Sequence, residues 1–201
     1  MMKKIFIVLI IFFLPSSVWA YPNEPDGFRN LKWGTSLDFF LQKYPNAQYV
    51  IPDKLHNNFL SDYIEYNVDS NNSTISGITI ASPITYTFWN NKLIFVKINL
   101  SGNCIASTYA NEEKILNKLR VLYGTYDFNN ESGSILDRNK EWFKMYSWEG
   151  NATNIILMSD YYFSDSPYTS SLSLSLYSSQ LLSTRNKLIQ QKQQAEAKQG
   201  W

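Results

Sequence analysis

The chain contains very few residues of the types that catalytic and metal-binding sites most often use. Only one cysteine, Cys104, and one histidine, His56, occur among its 201 residues. A single cysteine cannot form a disulfide within the chain. A nucleophilic triad or a zinc site usually requires histidine, and His56 lies in a polar segment that is typical of a solvated loop. We therefore expect no catalytic residue, no cofactor and no bound metal.

Concentrated charge is also missing from the chain. The formal net charge is +1 at pH 7, and it becomes slightly negative once Lys3 and Lys4 are removed. Nucleic acids and anionic membranes both favour a concentrated basic patch, so neither is expected as the main partner. The sequence also lacks a P-loop, a dinucleotide-binding fingerprint and a G-x-S-x-G nucleophile motif.

The first twenty residues have the order of features found in a secretory signal peptide. Lys3 and Lys4 precede an apolar run over residues 5–14, and small residues before the expected cut predict cleavage after Ala20. The apolar run is far shorter than the roughly 20 residues that a membrane span requires. We interpret residues 1–20 as a cleaved signal peptide of a periplasmic or secreted protein that keeps no stable membrane anchor.

The rest of the chain predicts a single α+β domain over residues 21–183 and a polar tail over residues 184–201. A helix is expected to begin near Ser179 and to fade after Ile189, because few apolar residues follow it. The tail is therefore expected to be helical or disordered, and solvated.

Two further segments space their apolar residues as amphipathic helices do. Thr35 opens a capping box at the start of the first helix, and Pro45 lies where it should end. Asn111 is expected to cap the second helix, which would place Glu112 in its first turn. Gly124 is a suitable terminator for this second helix.

Several segments are predicted to be strands, and apolar residues alternate with polar ones in those at 64–68, 96–100 and 172–176 as in half-buried strands. The predicted strands are residues 28–33, 64–68, a stretch around Ile78 and Ile80, 84–89, 93–100, 142–148, 153–159 and 172–176. The Asn-, Ser- and Gly-rich stretch from Gly124 to Lys140 is expected to be a loop. The order of elements predicts a two-layer α+β fold, with an antiparallel sheet covered on one face by two helices. It also predicts two similar halves, each a helix followed by a β-hairpin.

Three segments carry a resemblance to known proteins. They are the opening GFRNLKWGTSL at residues 27–37, the hairpin YTFWNNKL at residues 86–93, and the helix end LYG at residues 122–124. They resemble a scattered group of uncharacterised bacterial periplasmic proteins. The layout is also similar to that of small outer-membrane assembly lipoproteins and of β-lactamase inhibitor proteins. This resemblance implies a sheet covered by helices in repeated units, and it transfers no functional residue.

The chain is rich in aromatic residues, with six tryptophans and fourteen tyrosines. Four aromatics, Tyr161, Tyr162, Phe163 and Tyr168, are expected in a loop among turn residues. Exposed aromatics of this kind are good anchors at interfaces, so these four residues are our interaction candidates. The alternative is that they fold back over the sheet.

These features favour a non-catalytic binding module with a protein partner in the cell envelope, of the inhibitor, immunity or assembly type. The alternative is an envelope hydrolase that uses two carboxylates such as Asp160 and Asp165. A second carboxylate pair, Glu112 and Glu113, is expected to point to different sides of a helix. Cys104 has no visible activating neighbour and is expected to be a buried or idle thiol.

Overall fold

An antiparallel sheet of eight strands organises the part of the chain that the structure describes. The structure is a computed structural model, and it describes residues 21–51, 62–70, 72–81, 83–101, 104–134, 140–163 and 169–199. His56, Asp165, Tyr168 and the predicted signal peptide lie outside the described residues. Within them the fold is α+β, and strands predominate over helices.

The helices are α1 (Leu37–Lys43), α2 (Ile105–Tyr123) and α3 (Ser179–Gln199). The strands are β1 (Gly27–Phe28), β2 (Leu31–Lys32), β3 (Gln48–Tyr49), β4 (Tyr63–Val68), β5 (Thr74–Ile75), β6 (Ile78–Thr79), β7 (Ile84–Trp89), β8 (Lys92–Leu100), β9 (Phe128–Ser134), β10 (Lys140–Trp148), β11 (Thr153–Phe163) and β12 (Thr169–Ser178). The main sheet has the strand order β3-β4-β7-β8-β12-β11-β10-β9, and β1–β2 and β5–β6 form two small separate sheets. The single strand predicted over residues 28–33 is therefore wrong, because Arg29 and Asn30 adopt positive φ and turn it into a tight hairpin.

The N-cap of helix α1 lies one residue after the predicted cap, Thr35. Ser36 is the N-cap and accepts a hydrogen bond from the Phe39 amide. The Thr35 hydroxyl instead donates to the Lys32 carbonyl and closes the preceding turn. The helix ends at Lys43, before Pro45, as predicted.

The core of the first half forms around Phe40, which is fully buried on α1. Its ring centroid lies 4.9 Å from that of Phe88 and 5.1 Å from that of Tyr86, both on β7. Tyr86 pairs with Val96, which pairs with Leu176 on β12. These paired residues extend the buried face across the centre of the sheet. We call this buried face the core face.

Helix α2 begins at Ile105, with Cys104 as the N-cap, so the predicted start at Asn111 is wrong. The Asn111 amide donates to the Ser101 carbonyl at the end of β8, 2.6 Å away, and so makes a tertiary contact in place of a cap. The helix ends at Gly124, which adopts a positive φ of 83°, as predicted.

The Asn-rich stretch predicted to be a loop contains strand β9. Residues 128–134 pair with β10, from Phe128 opposite Ser147 to Ser134 opposite Glu141. This sequence has low β-propensity, and the ladder with β10 overrides it at the edge of the sheet. The loop prediction for this stretch is therefore wrong.

Helix α3 continues to Gln199, well beyond the end predicted at Ile189. The Arg185 guanidinium donates two hydrogen bonds to the Asp62 carboxylate, at 3.1 and 2.8 Å, and lies over the Tyr63 ring. Leu182 lines a cavity with Phe95 and Thr87. Phe95 precedes Val96 on β8, so these contacts place the start of α3 against the face opposite the core face.

Phe40 and Phe39 provide a matched test of the first half of the core. Phe40→Ala should lower the free energy of unfolding by about 3–5 kcal/mol, since it removes a fully buried ring. Phe39→Ala should cost less than about 1 kcal/mol, because that neighbouring ring is 55% exposed. Urea unfolding followed by circular dichroism measures both values. Equal losses in the two variants would contradict the packing of α1.

Candidate functional site

The predicted aromatic candidates lie on two different faces of the sheet. Tyr161, Tyr162 and Phe163 belong to strand β11, so the loop predicted for them is wrong. Tyr161 is 4% exposed and points to the core face, whereas Tyr162 is 40% exposed on the opposite face. The prediction that Tyr161 is an exposed anchor is therefore wrong. The Phe163 side chain and all of Tyr168 lie outside the described residues.

Tyr161 belongs to a buried polar cluster centred on Glu112. Because α2 begins at Ile105, Glu112 lies in the middle of the helix and faces the sheet, 2% exposed. Glu113 is exposed, so the prediction that these two carboxylates point to different sides is confirmed.

Three hydroxyl groups donate hydrogen bonds to the Glu112 carboxylate. Ser159 Oγ and Tyr161 OH each lie 2.5 Å from Oε2, and Tyr146 OH lies 3.3 Å from Oε1. The ammonium of Lys144 lies 3.6 Å from Oε1. We call Glu112, Lys144, Tyr146, Ser159 and Tyr161 the Glu112 cluster. A buried carboxylate with this many partners keeps its charge compensated.

The remaining contacts of Lys144 join the cluster to the edge of the sheet. Its ammonium lies 4.0 Å from Glu131 on β9 and 4.9 Å from the ring centroid of Tyr109 on α2. Lys144 therefore links α2, β9 and β10 through one side chain.

Burial and the neighbouring carboxylate both act on the tyrosines of the cluster. Burial raises the pKa of Tyr161, and the hydrogen bond to Glu112 adds to this effect. Burial and the charge of Glu112 likewise raise the pKa of Tyr146. Both phenols therefore stay protonated and act as donors over the whole neutral range. The arrangement is suited to holding α2 against the sheet, and its reactive groups are buried away from solvent.

The opposite face of β10 and β11 carries several apolar side chains, with Ser147 and Asp160 among them. Met145 pairs with Met158 across the two strands, and Ile156 pairs with Ser147, which in turn pairs with Phe128 on β9. We call this set the β9–β11 surface, and it consists of Phe128, Phe143, Met145, Ile156, Met158 and Tyr162. Phe128 and Tyr162 are exposed, and the other members are half-buried.

The other sequence candidates do not assemble into a second site among the described residues. Asp160 accepts a hydrogen bond from Ser171 at 2.9 Å, beside the β9–β11 surface. Cys104 is exposed, so of the expected alternatives, a buried or an idle thiol, the buried one is wrong, and hydrogen bonds with Ser107 lower the pKa of Cys104. Within the described ranges no group of three or more His, Cys, Asp or Glu side chains is placed to hold a metal ion. In the same ranges, no helix combines the length and the apolar character of a membrane span.

The Glu112 cluster was not predicted from the sequence, although the sequence of α2 contains a signal for it. Thr108, Glu112, Ile115 and Leu119 follow helical spacing and are all buried. An acidic residue within an apolar stripe indicates a buried carboxylate that needs donors from elsewhere in the fold. The misplaced start of α2 hid this signal, because it put Glu112 in an exposed first turn.

Comparisons with protein-family models, with curated proteins and with solved structures found no match to this chain.

The Glu112 cluster generates a stability prediction with a neighbouring control. Glu112→Ala should lower the free energy of unfolding by about 3–5 kcal/mol, since it leaves a partly buried Lys144 and buried hydroxyls without their acceptor. Glu113→Ala should change it by at most about 0.5 kcal/mol, because that side chain is exposed on the same helix. Denaturant unfolding measures both values, and a tolerated Glu112→Ala would contradict the role given to the cluster.

The raised pKa of Tyr161 predicts a loss of stability in alkali. An unfolded tyrosine releases its proton near pH 10, whereas folded Tyr161 holds it to higher pH. This contribution is therefore complete below about pH 10 and is lost as the pH rises above it, by at most about 1.4 kcal/mol per pH unit for one group. Urea unfolding between about pH 10 and pH 12 should show a shallower decline in Tyr161→Phe than in the native sequence. Equal slopes in the two proteins would refute the prediction.

Proposed function

We propose that this chain is a non-catalytic binding protein that docks a protein partner on the β9–β11 surface. The observation that carries this proposal is the group of apolar side chains that β10 and β11 present on the face opposite the core face. Contiguous exposed apolar surface that is bordered by polar residues is typical of interaction sites.

The chemistry of this surface suits a protein partner. Tyr162 and Phe128 are exposed aromatics at its two ends, and aromatic side chains are enriched at the energetic centres of interfaces. Met145 and Met158 lie between them, and methionine adapts its shape to a partner surface. Asn130 supplies a polar group at the edge strand β9, and Asp160 lies opposite Phe143, between Met158 and Tyr162. Of the sequence candidates, Tyr162 thus remains an anchor in this proposal.

We further propose that the protein acts in the bacterial periplasm or outside the cell. This rests on the signal-peptide pattern over residues 1–20. The division of the remaining chain into a domain at 21–183 and a tail at 184–201 is part of the same proposal. The partner would then be another protein of the cell envelope, of the inhibitor, immunity or assembly type.

The finer architecture is also a proposal, namely two layers built from two similar halves. Helix α1 precedes β3, β4, β7 and β8, and α2 precedes β9, β10, β11 and β12. Each set of four strands is contiguous in the main sheet, and the sets meet where β8 pairs with β12. This order supports two units of one helix and four strands, which are longer than the helix-and-hairpin units expected from the sequence.

The hydrolase alternative gains no specific support from the described residues. Its one described carboxylate, Asp160, bonds to Ser171 on an open strand face, and Asp165 lies outside the described ranges.

Site-specific crosslinking tests the docking surface. A photoreactive phenylalanine analogue at Tyr162 should crosslink a discrete envelope protein, whereas the same analogue at Leu188, an exposed position on α3, should not. Met158→Glu should abolish the Tyr162 crosslink, because it places a charge in the middle of the apolar surface. Leu188→Glu should leave it unchanged, and the thermal unfolding of both variants confirms that they fold. A crosslink that persists in Met158→Glu, or no crosslink from Tyr162 at all, would overturn the proposal.

A further inference from the structure

A cavity of about 240 Å³ lies between α2, the β1–β2 and β5–β6 hairpins and the core face of the sheet. Its walls are apolar side chains that are themselves buried: Ile115 and Leu119 from α2, Ile155 from β11, and Leu174 and Leu176 from β12. For comparison, an engineered apolar cavity of about 150 Å³ in another protein binds benzene. This cavity therefore has room for an aromatic ring or a short alkyl chain.

The charged residues that line this cavity are both cations. Arg29 lies at the turn between β1 and β2 with its guanidinium 5.5 Å from the Phe28 ring centroid, and Lys118 lies on α2. Both are exposed, whereas the walls are buried, so they mark the solvent end of the cavity. Across the described part of the chain, neither forms an ion pair, and no Asp or Glu lines the cavity.

We infer that this cavity binds a small amphiphile with an anionic head group. The apolar walls accept the tail, and burial of a tail releases its surface from water. Arg29 and Lys118 then meet the head group, since charge-assisted hydrogen bonds to carboxylate or phosphate are the strong ones. The two cations determine the sign of the ligand charge, and the apolar walls determine that the tail is apolar.

This site is distinct from the proposed docking surface. Ile155 and Leu176 line the cavity from the core face, whereas the β9–β11 surface lies on the opposite face of the sheet. The two proposals can therefore fail independently.

Calorimetric titration of the purified chain with four probes tests the ligand class without any substitution. Decanoate should bind saturably with one site per chain. Decyltrimethylammonium and decanol should bind at least about tenfold more weakly, because they lack the charge that Arg29 and Lys118 meet. Acetate, which has the head group alone, should not bind.

Two exposed positions then test the cations. Arg29→Gln and Lys118→Gln should each weaken decanoate binding by about tenfold, which corresponds to the loss of one charge-assisted bond. Lys187→Gln, an exposed cation on α3, removes the same charge elsewhere and should leave the affinity unchanged.

Several outcomes would overturn the inference. One is the absence of saturable decanoate binding to the folded protein. Another is an affinity for decyltrimethylammonium or decanol equal to that for decanoate. Unchanged affinity in both Arg29→Gln and Lys118→Gln would have the same meaning. A further probe is an N-acetylated peptide that ends in leucine carboxylate. If it binds more tightly than decanoate, the cavity is assigned to the terminus of a protein partner, and a small amphiphile is overturned as its ligand.

Discussion

The buried carboxylate of Glu112 is the constraint on which the second half of the molecule depends. Burying a charge costs several kcal/mol unless partners replace its hydration. Here β10 and β11 supply three hydroxyls, and Lys144 supplies the opposite charge. Successive residues of a helix are rotated by about 100° about its axis. A shift of the α2 sequence by one residue would therefore carry the carboxylate away from these partners. The cluster thus fixes the rotation of α2, and with it the side chains of Ile115 and Leu119 that wall the cavity.

The pleat of strand β11 gives its two faces different roles. Successive side chains of a strand point to opposite faces. Tyr161 therefore donates to Glu112 on the core face, while Tyr162 is exposed on the other. Ile155 lines the cavity and Ile156 belongs to the β9–β11 surface in the same way. A shift of the β11 register by one residue would exchange these roles and leave Glu112 without two of its donors.

Local patterns predicted those elements whose signals are contained within them. In the β7–β8 hairpin Val96, Ile98 and Leu100 alternate with polar residues, and Gly124 ends α2 through its own backbone preference. The start of α2 was missed because Asn111 and the acids after it resemble a first helical turn, whereas Asn111 bonds to Ser101 in the folded state. Strand β9 was missed because its sequence does not alternate and depends on pairing with β10. The Glu112 cluster needs donors from two strands far along the chain, and no local pattern contains that information.

The two proposed binding regions share one rigid element, which limits how they can influence each other. Packed interiors resist small changes of shape, and the sheet between the regions is held by the row Trp148, Ile155, Leu176 and Val96 on its core face. A tail that fills the cavity adds contacts to Ile155 and Leu176 without a change of pleat or register. Such a ligand binds the folded chain alone, so it stabilises the fold by mass action. The two proposed regions lie on opposite faces of strand β11, so coupling between them would act through the stability of the sheet that both of them require.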